Sequence, residues 1–200
     1  MNLENRKIAG LLLFIAVMQF VLINVVCETV YSGYIVGQQA ISDLGNWTLA
    51  GSFAALFSAS SILFGVLIIL GAYFVRQGSE TRLFSSLLAL AGVGNVVVGV
   101  VAENIVPSVH SLFALIMFVS WAAAAVVSFK FWKSPFSYLS VALGAFSLLM
   151  LTFSLVQRVN SSFLLGFGSG GLERLIVYPL WLWTFGLGVY LMGQSTLHSD

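Results

Sequence analysis

Five polar residues of this sequence have side chains that could act together on one ligand: Ser42, Asp43, Glu103, His110 and Arg174. A carboxylate accepts protons and orients neighbouring groups, and an imidazole serves as a general base near neutral pH. A guanidinium grips a phosphate or a carboxylate with two parallel hydrogen bonds. Because the five residues are scattered along the chain, they meet only if the surrounding elements bring them to one place.

The composition indicates that these elements lie in a membrane. Of the 200 residues, 60% are hydrophobic and 8% are charged, whereas soluble domains carry about 25% charged residues. A helix needs roughly 20 apolar residues to cross the hydrocarbon core of a bilayer. We therefore predict an all-α, polytopic protein whose residues 1–200 form a single integral membrane domain. Its six predicted transmembrane helices are 8–26, 49–75, 83–102, 107–129, 136–156 and 175–192.

The lysines and arginines are divided unevenly between the two sides of this predicted bundle. Arg158 and Arg174 lie on one side, and the other six basic residues lie on the side of the chain termini. Because lysine and arginine accumulate in cytoplasmic loops, both termini are predicted to be cytoplasmic. We expect a multi-pass protein of the cell membrane. The six basic residues on the predicted cytoplasmic side are Arg6, Lys7, Arg76, Arg82, Lys130 and Lys133.

Composition also argues against several classes of function. A net charge of +1, without a run of basic residues, argues against nucleic-acid binding. The single cysteine, Cys27, excludes an intramolecular disulfide and a zinc site built on several thiolates. The two histidines, His110 and His198, are predicted to lie on opposite sides of the membrane, so they cannot share a haem. We predict neither a metal site nor a cofactor.

His110 and Asp43 are the candidate catalytic residues. Pro107 suits the first turn of a helix, which places His110 about one turn into the fourth span. A carboxylate from Asp43 or Glu103 would orient the imidazole as a general base. The alternative is that the ring hydrogen-bonds a loop carbonyl. Asp43 lies in the stretch ISDLG and has an alternative of its own, in which its carboxylate braces a turn.

Arg174, Glu103 and Ser42 are the candidate substrate-binding residues. Arg174 lies just before the predicted start of the sixth span, where it could hold a lipid phosphate or carboxylate. In the structural alternative, Arg174 pairs with Asp43 or Glu103 and only locks loops together. Ser42 adjoins Asp43 but lacks the G-x-S-x-G turn of a serine hydrolase, so we assign it to binding.

Small residues recur every three or four positions along the second and third spans. Such stripes let two helix backbones approach closely, and we predict that they are packing seams. Asn95 lies in the second of these stripes and should face the bundle, because an amide turned towards lipid would lose its hydrogen bonds.

The order of these motifs resembles that of an uncharacterised six-span family of archaea and bacteria, known chiefly as a domain of unknown function. The resemblance rests on ISDLG, a long apolar span ending before Arg76, a glycine-rich span, an outer proline and HSLFALIMF at His110. The chain also looks like a eukaryotic group that includes the damage-regulated autophagy modulators and a GPI-lipid remodelling factor. That likeness implies work on lipid head groups or acyl chains at the outer or lumenal leaflet. The positions that carry it are Ser42, Asp43, Gly45, His110 and Arg174.

Two hypotheses about function follow. In the first, an outer-facing polar pocket binds or remodels a membrane lipid, with His110 as the base, Asp43 as its partner and Arg174 as an anion clamp. In the second, the protein is a non-catalytic accessory subunit or scaffold whose small-residue stripes dock a membrane-protein partner or a second copy. The first needs the polar residues to converge on a cavity of roughly 300 Å³ or more. The second needs each of them satisfied by protein groups, without a cavity.

Overall fold

Six long helices make up the described part of the protein. The computed structural model describes residues 3–76, 81–159 and 167–193. Two short 3-10 helices, Ser42–Gly45 and Ser128–Lys130, and the four-residue helix α2, Trp47–Ala50, accompany the long helices. Within the described residues there is no strand, so the predicted all-α class is confirmed. The long helices are α1 Leu3–Val30, α3 Phe53–Val75, α4 Arg82–Val100, α5 Pro107–Val127, α6 Phe136–Val159 and α7 Ser169–Gly193.

The outward faces of these helices are apolar. Large hydrophobic side chains such as Leu22 on α1 and Leu182 on α7 are 58% and 65% exposed. All six long helices in the described part of the chain are long and apolar enough to cross a membrane. A surface of this kind is stable only where lipid covers it. The protein is therefore a multi-pass membrane protein, as the composition predicts.

The helix ends differ from the predicted spans, above all at α7. The sequence predicts that this span starts at residue 175, but α7 begins at Ser169, so that Glu173 and Arg174 lie inside the helix. Hydropathy locates only the apolar part of a helix. A helix continues into polar sequence when its polar side chains find partners, and both residues find them here.

The long helices form a closed ring in chain order. From α1 through α3, α4, α5 and α6 to α7, each helix packs against the next, and α7 returns to pack against α1. Six helices of about 10 Å diameter arranged in this way enclose an interior that side chains must fill. An aromatic cluster occupies the middle of the ring and includes Phe20, Phe64, Trp121 and Trp181.

The seam between α3 and α4 depends on the predicted small residues. A methyl group on Gly92 would lie 2.7 Å from the carbonyl oxygen of Gly65, so the two backbones touch. One turn along, Asn95 Nδ2 donates to the carbonyl oxygen of Ser61 at 2.7 Å. The Ser61 hydroxyl donates in return to the carbonyl oxygen of Asn95 at 3.3 Å. The amide thus faces the bundle, as expected.

Candidate functional site

Because the helices alternate in direction, three segments meet at the end of the bundle away from the chain termini. They are the connection 31–52 between α1 and α3, the connection 101–106 between α4 and α5, and the first turn of α7. We refer to this end as the site end. By the distribution of lysine and arginine it is the predicted outer side.

A cavity of about 650 Å³ lies at the site end. Its walls come from all six long helices and from the connections 31–52 and 101–106. Of the five candidate residues, the structure brings all except Arg174 to this cavity. Glu173 lines the wall where Arg174 was expected. The four candidate residues that line the cavity are Ser42, Asp43, Glu103 and His110.

Asp43 belongs to the 3-10 helix Ser42–Gly45 and is half-buried in the cavity wall. Its Oδ2 accepts a hydrogen bond of 2.8 Å from the backbone N–H of Ala40, which closes the turn that the bracing alternative predicts. Burial raises the pKa of the Asp43 carboxyl above its usual value. The Ala40 hydrogen bond opposes this rise in pKa, and the nearby carboxylate of Glu103 adds to it. Asp43 thus braces the turn and faces the cavity at once.

Two further carboxylates tie the connection 31–52 to the rest of the site. Glu103 Oε2 accepts a hydrogen bond of 3.1 Å from the hydroxyl of Ser42. Glu173 Oε2, on α7, accepts a hydrogen bond of 2.7 Å from the backbone N–H of Ile41. Each of these hydrogen bonds joins segments that are far apart in the sequence, so the carboxylates fix the shape of the cavity wall.

His110 lies in the first turns of α5, which begins at Pro107 as predicted. The ring is only 5% exposed, and its Nδ1 is 2.7 Å from the carbonyl oxygen of Val101. Of the two alternatives for this ring, the hydrogen bond to a loop carbonyl is the one observed. Since a carbonyl oxygen only accepts, Nδ1 carries a proton, and Nε2 is an acceptor when the ring is neutral. Nε2 has no hydrogen-bond partner among the described residues.

Arg174 is buried beside the cavity and is engaged by protein groups. Its Nη2 donates to Glu28 Oε1 at 2.6 Å and to the hydroxyl oxygen of Tyr34 at 2.7 Å. Its Nη1 donates to the carbonyl oxygens of Val36 at 2.7 Å and Gln39 at 3.0 Å. Arg174 therefore has the contacts expected of a residue that holds loops together. Its ion-pair partner is Glu28 on α1, in place of the expected Asp43 or Glu103.

Glu173 and Arg174 face different surroundings because adjacent residues of a helix point about 100° apart. Glu173 faces the cavity, and Arg174 faces the backbone of the connection 31–52. The cavity role of Glu173 was not predicted from the sequence. The signal that could have revealed it is this helical phase, which requires knowing that α7 begins before both residues.

The first turn of α7 lies against the backbone of residues 36–39. The N–H of Gly171 donates to the carbonyl oxygen of Gly37 at 3.0 Å, and the Ser169 hydroxyl donates to that of Gln38 at 2.6 Å. A methyl group at Gly170 would overlap the carbonyl group of Gln39. Glycine is therefore required at residue 170 for this close approach. Residues 164–166, the first part of the glycine-rich run 164–171, lie outside the described residues, as does the side chain of Arg158.

Within the described ranges, no group of three or more histidine, cysteine, aspartate or glutamate side chains could hold a metal ion. The carboxylates and His110 line one cavity without gathering around a single point. Such an arrangement suits several separate hydrogen bonds to a larger ligand.

The comparisons with known proteins give a family. The model described as "Protein of unknown function (DUF998)" matches residues 14–190, which include every residue of the cavity wall. Nothing among the curated proteins or the solved structures matches the chain. The resemblance to the eukaryotic lipid-remodelling group gains no support from these comparisons. The uncharacterised six-span family is the one identified: the chain belongs to the DUF998 family of membrane proteins.

Proposed function

We propose that this protein binds a membrane lipid in the cavity at the site end, and that the lipid enters sideways between α5 and α6. One observation carries the proposal. Leu112 on α5 and Leu155 on α6 both line the cavity, and both are also exposed on the lipid-facing surface, at 54% and 44%. Side chains that belong to both surfaces mark the place where the cavity meets the hydrocarbon.

The height of this opening supports a lipid over a water-soluble ligand. At a rise of 1.5 Å per residue, Leu112 lies about 8 Å along α5 from the first residue of the helix, and Leu155 lies about 6 Å before the last residue of α6. The interfacial region on each side of a bilayer is also on the order of 7 Å deep. The opening therefore lies near the level where lipid head groups give way to acyl chains.

The lining of the cavity suits an amphipathic molecule. Asp43, Glu103 and His110 provide polar atoms, while Trp121 and Trp181 provide buried aromatic surface. A volume of about 650 Å³ is typical of a small-molecule site, for which the usual range is roughly 300–1,000 Å³. It holds a head group and the first part of the acyl chains.

His110 and Asp43 stay the candidate catalytic residues for any remodelling of the bound lipid. The Val101 carbonyl fixes the tautomer of the imidazole, so that Nε2 is free to accept a proton from a ligand hydroxyl or from water. Asp43 lines the same cavity and contributes negative charge, which favours the imidazolium formed by that transfer. Glu103 and Ser42 are held by each other and shape the wall.

The accessory-subunit hypothesis accounts for Arg174, whose guanidinium is held by protein groups. It does not account for a cavity with unpartnered acceptors in its wall. The lipid hypothesis accounts for both, because the braced arginine holds the connection 31–52 that forms part of that wall.

Photo-crosslinking tests this proposal. A lipid with a diazirine in its acyl chain, presented to the wild-type protein in nanodiscs, should label the peptides around Leu112 and Leu155 several-fold more than those around Leu22 and Leu182. The control leucines are as exposed or more so, at 58% and 65%, but they do not line the cavity. Unlabelled lipid should compete for the excess labelling. Labelling in simple proportion to exposure, without competition, would show that the site does not bind lipid.

A further inference from the structure

We propose that the lipid held in the cavity carries a protonated primary amine in its head group. This inference rests on the proposed function and names the ligand class of the same site. It follows from the hydrogen-bonding character of the polar atoms that face the cavity.

The carboxylates of the cavity wall each keep one oxygen available. Asp43 uses Oδ2 for the Ala40 N–H, and Glu173 uses Oε2 for the Ile41 N–H. Glu103 likewise uses Oε2 for the Ser42 hydroxyl. The remaining oxygen of each carboxylate has no hydrogen-bond partner among the described residues. Each of these three oxygens is accessible.

His110 adds an acceptor of a different kind. Its side chain is more than nine-tenths buried, lines the cavity, and has its Nδ1 proton engaged by Val101. When the ring is neutral, Nε2 can therefore only accept a hydrogen bond. A molecule bound among these three carboxylate oxygens and this imidazole nitrogen must therefore bring hydrogen-bond donors.

An anionic head group does not meet this requirement. Among the described residues that line the cavity there is no lysine or arginine. Arg174, the nearby cation, directs its terminal nitrogens to Glu28, Tyr34 and backbone carbonyls. A phosphate without an accompanying amine would place negative charge among three carboxylates in a partly buried site, where like charges repel more strongly than in water.

A metal ion fits less well than an organic cation. The described acidic and histidine side chains form no group that could hold a metal. A primary ammonium does not need such a group, because a charge-assisted hydrogen bond to a single carboxylate oxygen already holds it. A quaternary ammonium has no N–H donor and satisfies none of the acceptors. Burial of Asp43, which raises its pKa, agrees with a site whose negative charge needs such a counterion.

The test compares head groups on identical acyl chains. Binding to the detergent-solubilised full chain is measured at pH 7.4 for phosphatidylethanolamine, phosphatidylcholine, phosphatidylglycerol and, as an amine without phosphate, octadecylamine. The ethanolamine lipid should bind at least about tenfold more tightly than the choline or glycerol lipid, the size expected for a charge-assisted hydrogen bond. Octadecylamine should compete for the same site.

Isosteric variants test whether the cavity carboxylates cause the preference for an amine head group. Glu103→Gln and Glu173→Gln keep a carbonyl oxygen for the Ser42 and Ile41 donors, but remove the charge. Each should weaken binding of the ethanolamine lipid about tenfold and leave binding of the choline lipid unchanged. Glu4→Gln, the same change at an exposed position at the opposite end of α1, should alter neither.

The outcomes separate this inference from the proposed function. Equal, tight binding of all the phospholipids by the wild-type protein would leave the lipid site standing and overturn the amine assignment. Tighter binding of phosphatidylglycerol, or glutamine variants with unchanged head-group preference, would overturn it as well. Failure of every lipid to bind at one molecule per chain would overturn both.

Discussion

Replacing Arg174 with methionine should lower the free energy of unfolding by about 3–5 kcal/mol, the usual cost of removing one partner of a buried ion pair. The change leaves the carboxylate of Glu28 without its cation, and it removes the donors to Tyr34 and to backbone carbonyls of the connection 31–52. That connection also forms part of the cavity wall. We therefore expect lipid binding to be lost together with stability.

Denaturant titration of the protein in detergent, followed by far-UV circular dichroism, measures this loss. Arg76→Met is the matched control, because Arg76 is exposed at the end of α3. It should change stability by no more than about 0.5 kcal/mol. If Arg174 were instead a clamp for an anionic ligand, Arg174→Met would unfold like the Arg76 control and lose only its ligand. That result would contradict a bracing role for Arg174.

Replacing Ala114 with tryptophan should weaken lipid binding at least about tenfold. Ala114 lies on α5, is partly buried, and lines the cavity. An indole at this position takes up space that the lipid would occupy, and a well-packed wall cannot move far to restore that space. The affinity is measured by equilibrium titration with a fluorescent phospholipid.

Val119→Trp provides the control on the same helix. Val119 is 43% exposed, faces lipid, and does not line the cavity, so an indole there should leave the affinity unchanged. Ser154→Trp on α6 approaches the cavity from the other side and should reproduce the effect of Ala114→Trp. The three variants should have the helix content of the wild type by circular dichroism. Wild-type affinity in both cavity variants would contradict a lipid site in this cavity.

The number of helices was predictable because a transmembrane helix needs a long run of apolar residues, and hydropathy measures such runs directly. The site end was predictable too, because alternation of the helices fixes which connections meet. Asp43, Glu103 and His110 line the same cavity for this reason, although they are far apart in the sequence. The same alternation places Glu173 at this end, but it does not say which way its side chain faces.

The roles of Glu173 and Arg174 could not be predicted, because they depend on where α7 begins. Hydropathy places the start at residue 175, whereas the polar contacts of the first turn move it back to Ser169. With both residues inside the helix, one faces the cavity and the other faces a loop. The hydrogen-bond partner of His110 could not be predicted for a similar reason. It is the backbone carbonyl of Val101, and the pattern of side chains does not show which way a carbonyl points.

The cavity itself arises from tertiary packing. The pairwise seams of small residues, such as Gly65 against Gly92, are visible in the sequence. The closure of six helices into a ring through the contact of α7 with α1 is not visible, and it is this closure that surrounds the space at the site end. No local pattern encodes a volume that six helices share.

Native mass spectrometry of the wild-type protein, released gently from its own membrane, is the most direct test of a specific lipid site. We predict one predominant species, in which each chain retains one lipid after the detergent has been removed in the gas phase. Fragmentation of that complex should release a lipid with an amine in its head group. A bare chain, or a graded series of adducts that mirrors the composition of the membrane, would contradict a specific lipid site.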